Sequence, residues 1–224
     1  MRIWVTRSEP GCSRQTAALR AAGLDAVAAP VLAIEPTGNA VPEGSFEYVF
    51  FLSEQAVRHA GDLAFAAGAR VYAVGAQTAA ALSEADIVAA VPRQASSEGL
   101  IAELDDVPLT GRGCLIVAGE GGRKTLVGYL GGRSAEVVEY LCYRRIAVET
   151  WHPSLAGVTH ILVASQDGFR AMARLWCANG GGPDVQVIAA SDRIAALGPE
   201  LGFSRLKVAA GAADADFIAA LEAQ

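Results

Sequence analysis

The decapeptide VFFLSEQAVR at Val49–Arg58 returns as ILVASQDGFR at Ile161–Arg170. In each copy an apolar run ends on a serine, Ser53 or Ser165, and a stretch of helical character follows. Apolar runs without polar alternation fit strands buried on both faces, as in a parallel sheet. Serine is a good helix N-cap because its side-chain oxygen accepts an orphan backbone N–H. Each copy therefore reads as one strand–turn–helix unit. The two serines stand 112 residues apart in a chain of 224, a period of half the chain.

On either side of these units, VYAVGAQTAAAL at Val71–Leu82 resembles QVIAASDRIAAL at Gln186–Leu197, and Arg2–Leu32 resembles Gly113–Tyr143. The strand candidates are Ile3–Thr6, Val27–Leu32, Tyr48–Leu52, Val71–Val74, Cys114–Ala118, Val137–Tyr143, His160–Ala164 and Gln186–Ala189. Segments of helical length separate them, which predicts an α/β protein of βαβ units on parallel sheets. The duplication predicts two similar domains. The repeat alone would cut the chain near Pro108–Gly113, but Pro/Gly/Asn-rich breaks fall at Glu35–Gly44 and Thr150–Gly157. Those breaks predict a crossed arrangement: residues 1–36 with 152–224 form one domain, and 40–147 the other. Two strands would then link the domains and leave a cleft, a favoured place for a ligand.

Composition bounds the function. Apolar residues make up 52% and charged residues 19%, which suits a well-cored globular protein. The net charge of −6 speaks against nucleic acid as a partner. No apolar run has the ~20 residues of a membrane helix, and no signal-peptide pattern opens the chain, so a cytoplasmic protein without membrane contact is expected. The four cysteines lack ligand spacing and read as buried free thiols, and His59, His152 and His160 read as surface or packing residues. No metal site is expected.

Two glycine turns follow strands: Gly75-Ala76-Gln77-Thr78 and Gly119-Glu120-Gly121-Gly122-Arg123-Lys124. Each would let backbone amides approach an anion at a helix start, or each is a plain connection. Neither is a nucleotide fingerprint, since GxGxxG is missing and Arg123 stands where a P-loop needs glycine. Tyr143 closes the run Val137–Cys142 and is followed by Arg144 and Arg145. Two readings fit it: a phenol facing the cleft with two guanidinium groups nearby, or an edge-strand aromatic beside a solvated basic pair.

The order of motifs resembles the uroporphyrinogen-III synthase family over essentially the whole chain. The stretches that carry the resemblance are VTRSEP at Val5–Pro10, the segment Leu19–Pro36, FLSEQAV at Phe51–Val57 and AVGAQTAAAL at Ala73–Leu82, followed by SSEGL at Ser96–Leu100, AGEGGRKTL at Ala118–Leu126 and EYLCYRR at Glu139–Arg145. The resemblance implies two flavodoxin-like domains joined by a two-stranded linker, with both chain ends in the first. It implies a cofactor-free enzyme that closes hydroxymethylbilane, a linear tetrapyrrole with an acetate and a propionate on each ring, with loss of water and inversion of the last ring. Tyr143 matches the tyrosine proposed to protonate the departing hydroxyl; an ordinary phenol, with a reference pKa of about 10, keeps its proton at neutral pH. Ser53, Thr78, Ser97 and Ser165 match hydroxyl or loop positions facing the cleft. Gly119 and Arg123 match the glycine loop, and Thr6 and Arg7 follow the first strand.

One turn departs from the family. Ala190-Ser191-Asp192-Arg193 stands where many members carry Gly-Pro-Thr-Thr, and Ser191 and Arg193 are expected to replace the lost groups as carboxylate ligands. A monomer with transient handover to neighbouring pathway enzymes is expected. The rival classes are a two-domain small-anion binding protein without catalysis and a nucleotide-using transferase.

Overall fold

The computed structural model describes residues 1–122 and 124–223, and the chain divides into two compact units, Met1–Ala33 with Ile146–Gln224, and Ile34–Arg145. The elements follow in chain order. The first are β1 (Arg2–Val5), α1 (Gly11–Ala21), β2 (Asp25–Ala28) and β3 (Leu32–Pro36). Then come β4 (Tyr48–Phe51), α2 (Glu54–His59), β5 (Arg70–Ala73), α3 (Ala76–Ser83), α4 (Ser97–Ala102), β6 (Gly113–Gly119), α5 (Thr125–Gly132) and β7 (Glu136–Ala147). The chain ends with β8 (His160–Val163), α6 (Gln166–Ala178), β9 (Gln186–Ala189), α7 (Asp192–Ala195), β10 (Leu206–Val208) and α8 (Asp214–Glu222).

The first unit holds a five-stranded sheet in the order β10-β9-β8-β1-β2, and all its neighbours pair in parallel. Taken from β2, that is the 2-1-3-4-5 order of flavodoxin-like sheets. The second sheet runs β3-β7-β6-β4-β5, with β7, β6, β4 and β5 parallel. Here β6 and β7 take the places that β1 and β2 hold in the first sheet, and β4 and β5 those of β8 and β9. A single parallel bridge from Tyr72 to Ala90 sits where the fifth strand would lie. The second unit thus repeats the order of the first but enters it at the third strand. Both passages between units fall inside strands, β3 and β7, which are neighbours in one sheet.

Burial on both faces explains the apolar runs. Along β4, Val49 and Phe51 join one core cluster with α2 and α3, while Tyr48 and Phe50 join another with Leu100 of α4 and Leu126 and Leu130 of α5. In the first unit α6 buries Phe169, Met172, Ala173 and Trp176, the i, i+3, i+4, i+7 stripe of an amphipathic helix. Trp176 and Trp151 meet Trp4 with ring centroids 6.3 and 5.9 Å away. The buried indole N–H of Trp4 donates to the Ala29 carbonyl at 2.7 Å.

The expected strand Val27–Leu32 is two strands, β2 and β3, in different sheets. Pro30 lies between them and has no N–H to donate to a ladder, and the strands on either side of it are the edge strands of their sheets. The part of β3 beyond Leu32, and β10, have no counterpart among the sequence candidates.

Candidate functional site

Parallel α/β sheets bind ligands outside the carboxyl ends of their strands, where the strand order reverses. In the second unit that point lies between β6 and β4, and a pocket of about 350 Å³ opens there. Leu52 and Ser53 after β4, Val74 after β5, Ala118 and Gly119 at the end of β6, and Tyr143 and Arg145 of β7 all line it. Ser96, Ser97 and Ala95 close another side, and Lys124 and Glu139, which form an ion pair, complete the polar lining.

Each hydroxyl is held by its local fold. Ser53 caps α2 by accepting the Ala56 N–H at 3.0 Å, and Ser96 caps α4 by accepting that of Gly99 at 2.9 Å. Ser97 is the first helical residue beside it. For Ser53 the capping duty thus places the oxygen at the pocket wall, because the cap sits where the carboxyl end of β4 turns into α2.

Tyr143 owes its direction to an irregularity in β7. Leu141 pairs with Ala118, but Tyr143 pairs with Gly119, so Cys142 is an extra residue in the ladder. A bulge of one residue reverses the alternation beyond it. Tyr143 therefore leaves the side of Leu141 and joins the cluster containing Ala56 and Val57 of α2. Its ring lies directly over Gly119, where an added Cβ would overlap it. Only 1% exposed, the ring also faces His59 at 6.0 Å between centroids. The phenolic oxygen sits 3.0 Å from Ser53 Oγ and accepts a hydrogen bond from Arg145 Nη2 at 2.8 Å.

Two expectations change. Tyr143 is not on an edge strand, since β7 lies between β3 and β6. Nor do two guanidinium groups gather at it: Arg145 does, whereas Arg144 points away to Glu35, with 3.3 Å between Nη2 and Oε2. Gly119 has a structural use as well. The close approach its missing side chain permits is that of the Tyr143 ring, while Gly119 itself also lines the pocket.

Gly75 N-caps α3 beside the pocket, its Cβ position 3.1 Å from the Ala95 methyl, and Thr78 is buried in the first turn of that helix. Arg123 lies outside the described residues. In the first unit Thr6, Arg7, Ser165, Ser191 and Arg193 all follow the carboxyl ends of β1, β8 and β9. Thr6 donates to the Leu162 carbonyl at 2.6 Å, and Arg7 to that of Ala212 at 3.0 Å. Ser165 caps α6 through the Gly168 N–H at 3.0 Å. Ser191 stands at the start of the four-residue α7 without a side-chain cap bond, and Arg193 is exposed.

Arg145, Ser96, Lys124 and Glu139 line the pocket but were not among the expected site residues. Arg145 had a signal, its i+2 spacing from Tyr143 on a strand. Among the described residues no cluster of three or more His, Cys, Asp or Glu is placed to hold a metal ion, and no helix is long and apolar enough to cross a membrane.

Strand order and pocket together define a duplicated α/β protein of flavodoxin-like units with a hydroxyl- and cation-lined site at a sheet's carboxyl end. The family model described as Uroporphyrinogen-III synthase HemD matches residues 13–219, and the chain belongs to that family. It is 28% identical over 249 residues to the uroporphyrinogen-III synthase of Escherichia coli K12, covering 99% of this chain and 100% of the relative. To the enzyme of Salmonella typhimurium LT2 it is 30% identical over 251 residues, with the same coverage. Among solved structures, uroporphyrinogen-III synthetase from Helicobacter pylori superposes with a TM-score of 0.67 at 13% identity, and a mutant synthase from Thermus thermophilus with 0.58 at 17%. Both matches cover 100% of each chain and share the two-domain α/β fold.

Proposed function

We propose that the chain is a uroporphyrinogen-III synthase, a cyclising lyase that converts hydroxymethylbilane to uroporphyrinogen III with loss of water and inversion of the last pyrrole ring. The observation that supports this reading best is the buried phenol of Tyr143 at the carboxyl-end pocket, its oxygen engaged by Arg145 and Ser53. Departure of the substrate hydroxyl requires a proton, and a phenol at the pocket wall is placed to donate one. Loss of water leaves an electrophilic azafulvene, which the last ring attacks through its substituted carbon. The resulting spirocycle fragments and recloses with that ring inverted.

Unaided, the linear tetrapyrrole closes to the symmetric type I isomer. The enzyme's larger task is to hold one folded geometry, which is catalysis by positioning. Hydroxyls, backbone amides and cations suit a substrate with two carboxylates on every ring. Lys124, already paired with Glu139, can exchange that partner for a substrate carboxylate. In the first unit Thr6, Arg7, Ser165, Ser191 and Arg193 are read as further substrate contacts, as are Gly75, Thr78, Ser97, Gly119 and Arg123 in the second. The same reading takes the protein as a cytoplasmic monomer that passes its product to the next enzyme; gel filtration and fractionation measure the first two properties.

The test is an isomer-resolved assay. Hydroxymethylbilane is generated in situ, the product is oxidised, and the type I and type III porphyrins are separated by chromatography. Type III is expected. Type I alone, at the rate of the enzyme-free control, would leave the non-catalytic anion-binding reading in its place.

A further inference from the structure

Two residues meet the phenolic oxygen of Tyr143, and their donor chemistry constrains its proton. Arg145 Nη2 lies 2.8 Å from that oxygen, and its guanidinium carbon 5.2 Å from the ring centroid. A guanidinium has donors only, so the phenol oxygen is the acceptor in this bond and its own proton must point elsewhere. Ser53 Oγ, at 3.0 Å, already accepts the Ala56 N–H and keeps one lone pair and one rotatable proton. The phenol proton is therefore directed to Ser53 or to the pocket. With Tyr143 only 1% exposed, a charge left on its oxygen has almost no water to solvate it and needs a fixed partner.

We propose that Arg145 is a positioning residue that acts through Tyr143, aiming the phenol proton at the pocket and holding the phenolate that proton donation leaves. The inference rests on Tyr143 being the acid. In the step, the phenol O–H bond breaks and its proton goes to the substrate hydroxyl. The C–O bond then breaks, its electron pair leaving on water and its positive charge remaining on the azafulvene system. Arg145 stays bonded to the phenolate, and Ser53 turns its own O–H onto the same oxygen. When ring closure restores aromaticity, the proton lost from the macrocycle returns to Tyr143, so the cycle balances with one water released. Arg144 supplies a control one residue away, since its partner is Glu35 at the surface.

The experiment is a double-mutant cycle with kcat and KM measured separately for Arg145→Gln, Tyr143→Phe, the double variant, Arg145→Lys and Arg144→Gln. Arg145→Gln is expected to lower kcat about 10-fold or more with little change in KM, because the bond already present in the resting protein strengthens as negative charge develops on the phenol oxygen and does not touch the substrate. In the Tyr143→Phe background the same change is expected to add almost nothing, since its target is gone. Arg145→Lys should restore part of the loss and guards against misfolding of the glutamine variant, while Arg144→Gln should leave kcat unchanged. A raised KM with kcat preserved, or an equal loss in both backgrounds, would show Arg145 acting on substrate carboxylates and overturn the proposal while leaving the acid in place. Undiminished turnover in Tyr143→Phe would remove the acid itself, and the proposal with it.

Discussion

Gly119 and Tyr143 are one structural unit, although 24 residues separate them. The tyrosine ring occupies the space a side chain at Gly119 would need. A Gly119→Ala variant must displace that ring and with it the bonds to Ser53 and Arg145. Overpacking of this kind costs about 1–3 kcal/mol. A folded protein with a slightly lower unfolding midpoint and turnover reduced at least as far as in Tyr143→Phe is expected, checked by thermal unfolding and the isomer assay. Full activity would mean that the phenol's position is immaterial. Tyr143 stood out in the sequence because it ends an apolar run beside two arginines. Which arginine serves it follows from the i+2 spacing of Arg145, but which face of the sheet Tyr143 takes was not legible, because the extra residue at Cys142 resets the alternation along the strand.

Elements explain why serines recur at the sites. Ser53 and Ser165 each end a strand and cap a helix, through Ala56 and Gly168. Replacing either with alanine is expected to lower stability by about 1 kcal/mol, the usual worth of such a cap, measurable by urea unfolding. Ser53→Ala should also slow turnover, because the same oxygen meets the Tyr143 phenol; turnover equal to that of the unaltered protein would confine Ser53 to capping. Strands with four or more apolar residues in a row, such as Val49–Phe51 with Tyr48 and Cys114–Ala118, were legible since burial on both faces leaves no polar position. The three-residue β10 carries half-exposed residues and no such run, so nothing in composition marked it. The division at Pro30 was visible as a proline but overridden by the apolar residues around it.

Across the molecule the two units carry separate probes and separate buried thiols. All three tryptophans fall in the first unit and all five tyrosines in the second, so indole emission reads one core and tyrosine circular dichroism the other. Burial, aided by nearby Glu9, pushes the Cys12 thiol up to about 12, and burial raises Cys114 and Cys142 to about 11. In the unfolded chain these thiols return to about 8.5. Below that pH both states hold the protons; above it the unfolded state alone releases them, so stability falls as pH rises towards 11–12. Urea midpoints read by both probes are expected to be level from about pH 7 to 8 and to decline above about pH 9. At about pH 8 a thiol reagent should modify exposed Cys177 in the folded protein and reach the three buried cysteines only after unfolding. Rapid modification of all four would contradict the packing described.

The duplication of strand–helix units was legible from the repeat of Ser53 at Ser165. The bulge that turns Tyr143 onto Gly119 was not, because it is a matter of register between strands far apart in sequence. On the proposed reading the phenol donates the proton and positioning chooses the isomer, and the most direct measurement is turnover and isomer ratio together in Tyr143→Phe, corrected for spontaneous closure. A rate lower by about 100-fold, the scale of one general acid, is predicted, with type III still the enzymatic product. An unchanged rate, or a switch to type I in the enzyme-dependent product, would contradict a phenol that donates the proton while the fold chooses the isomer.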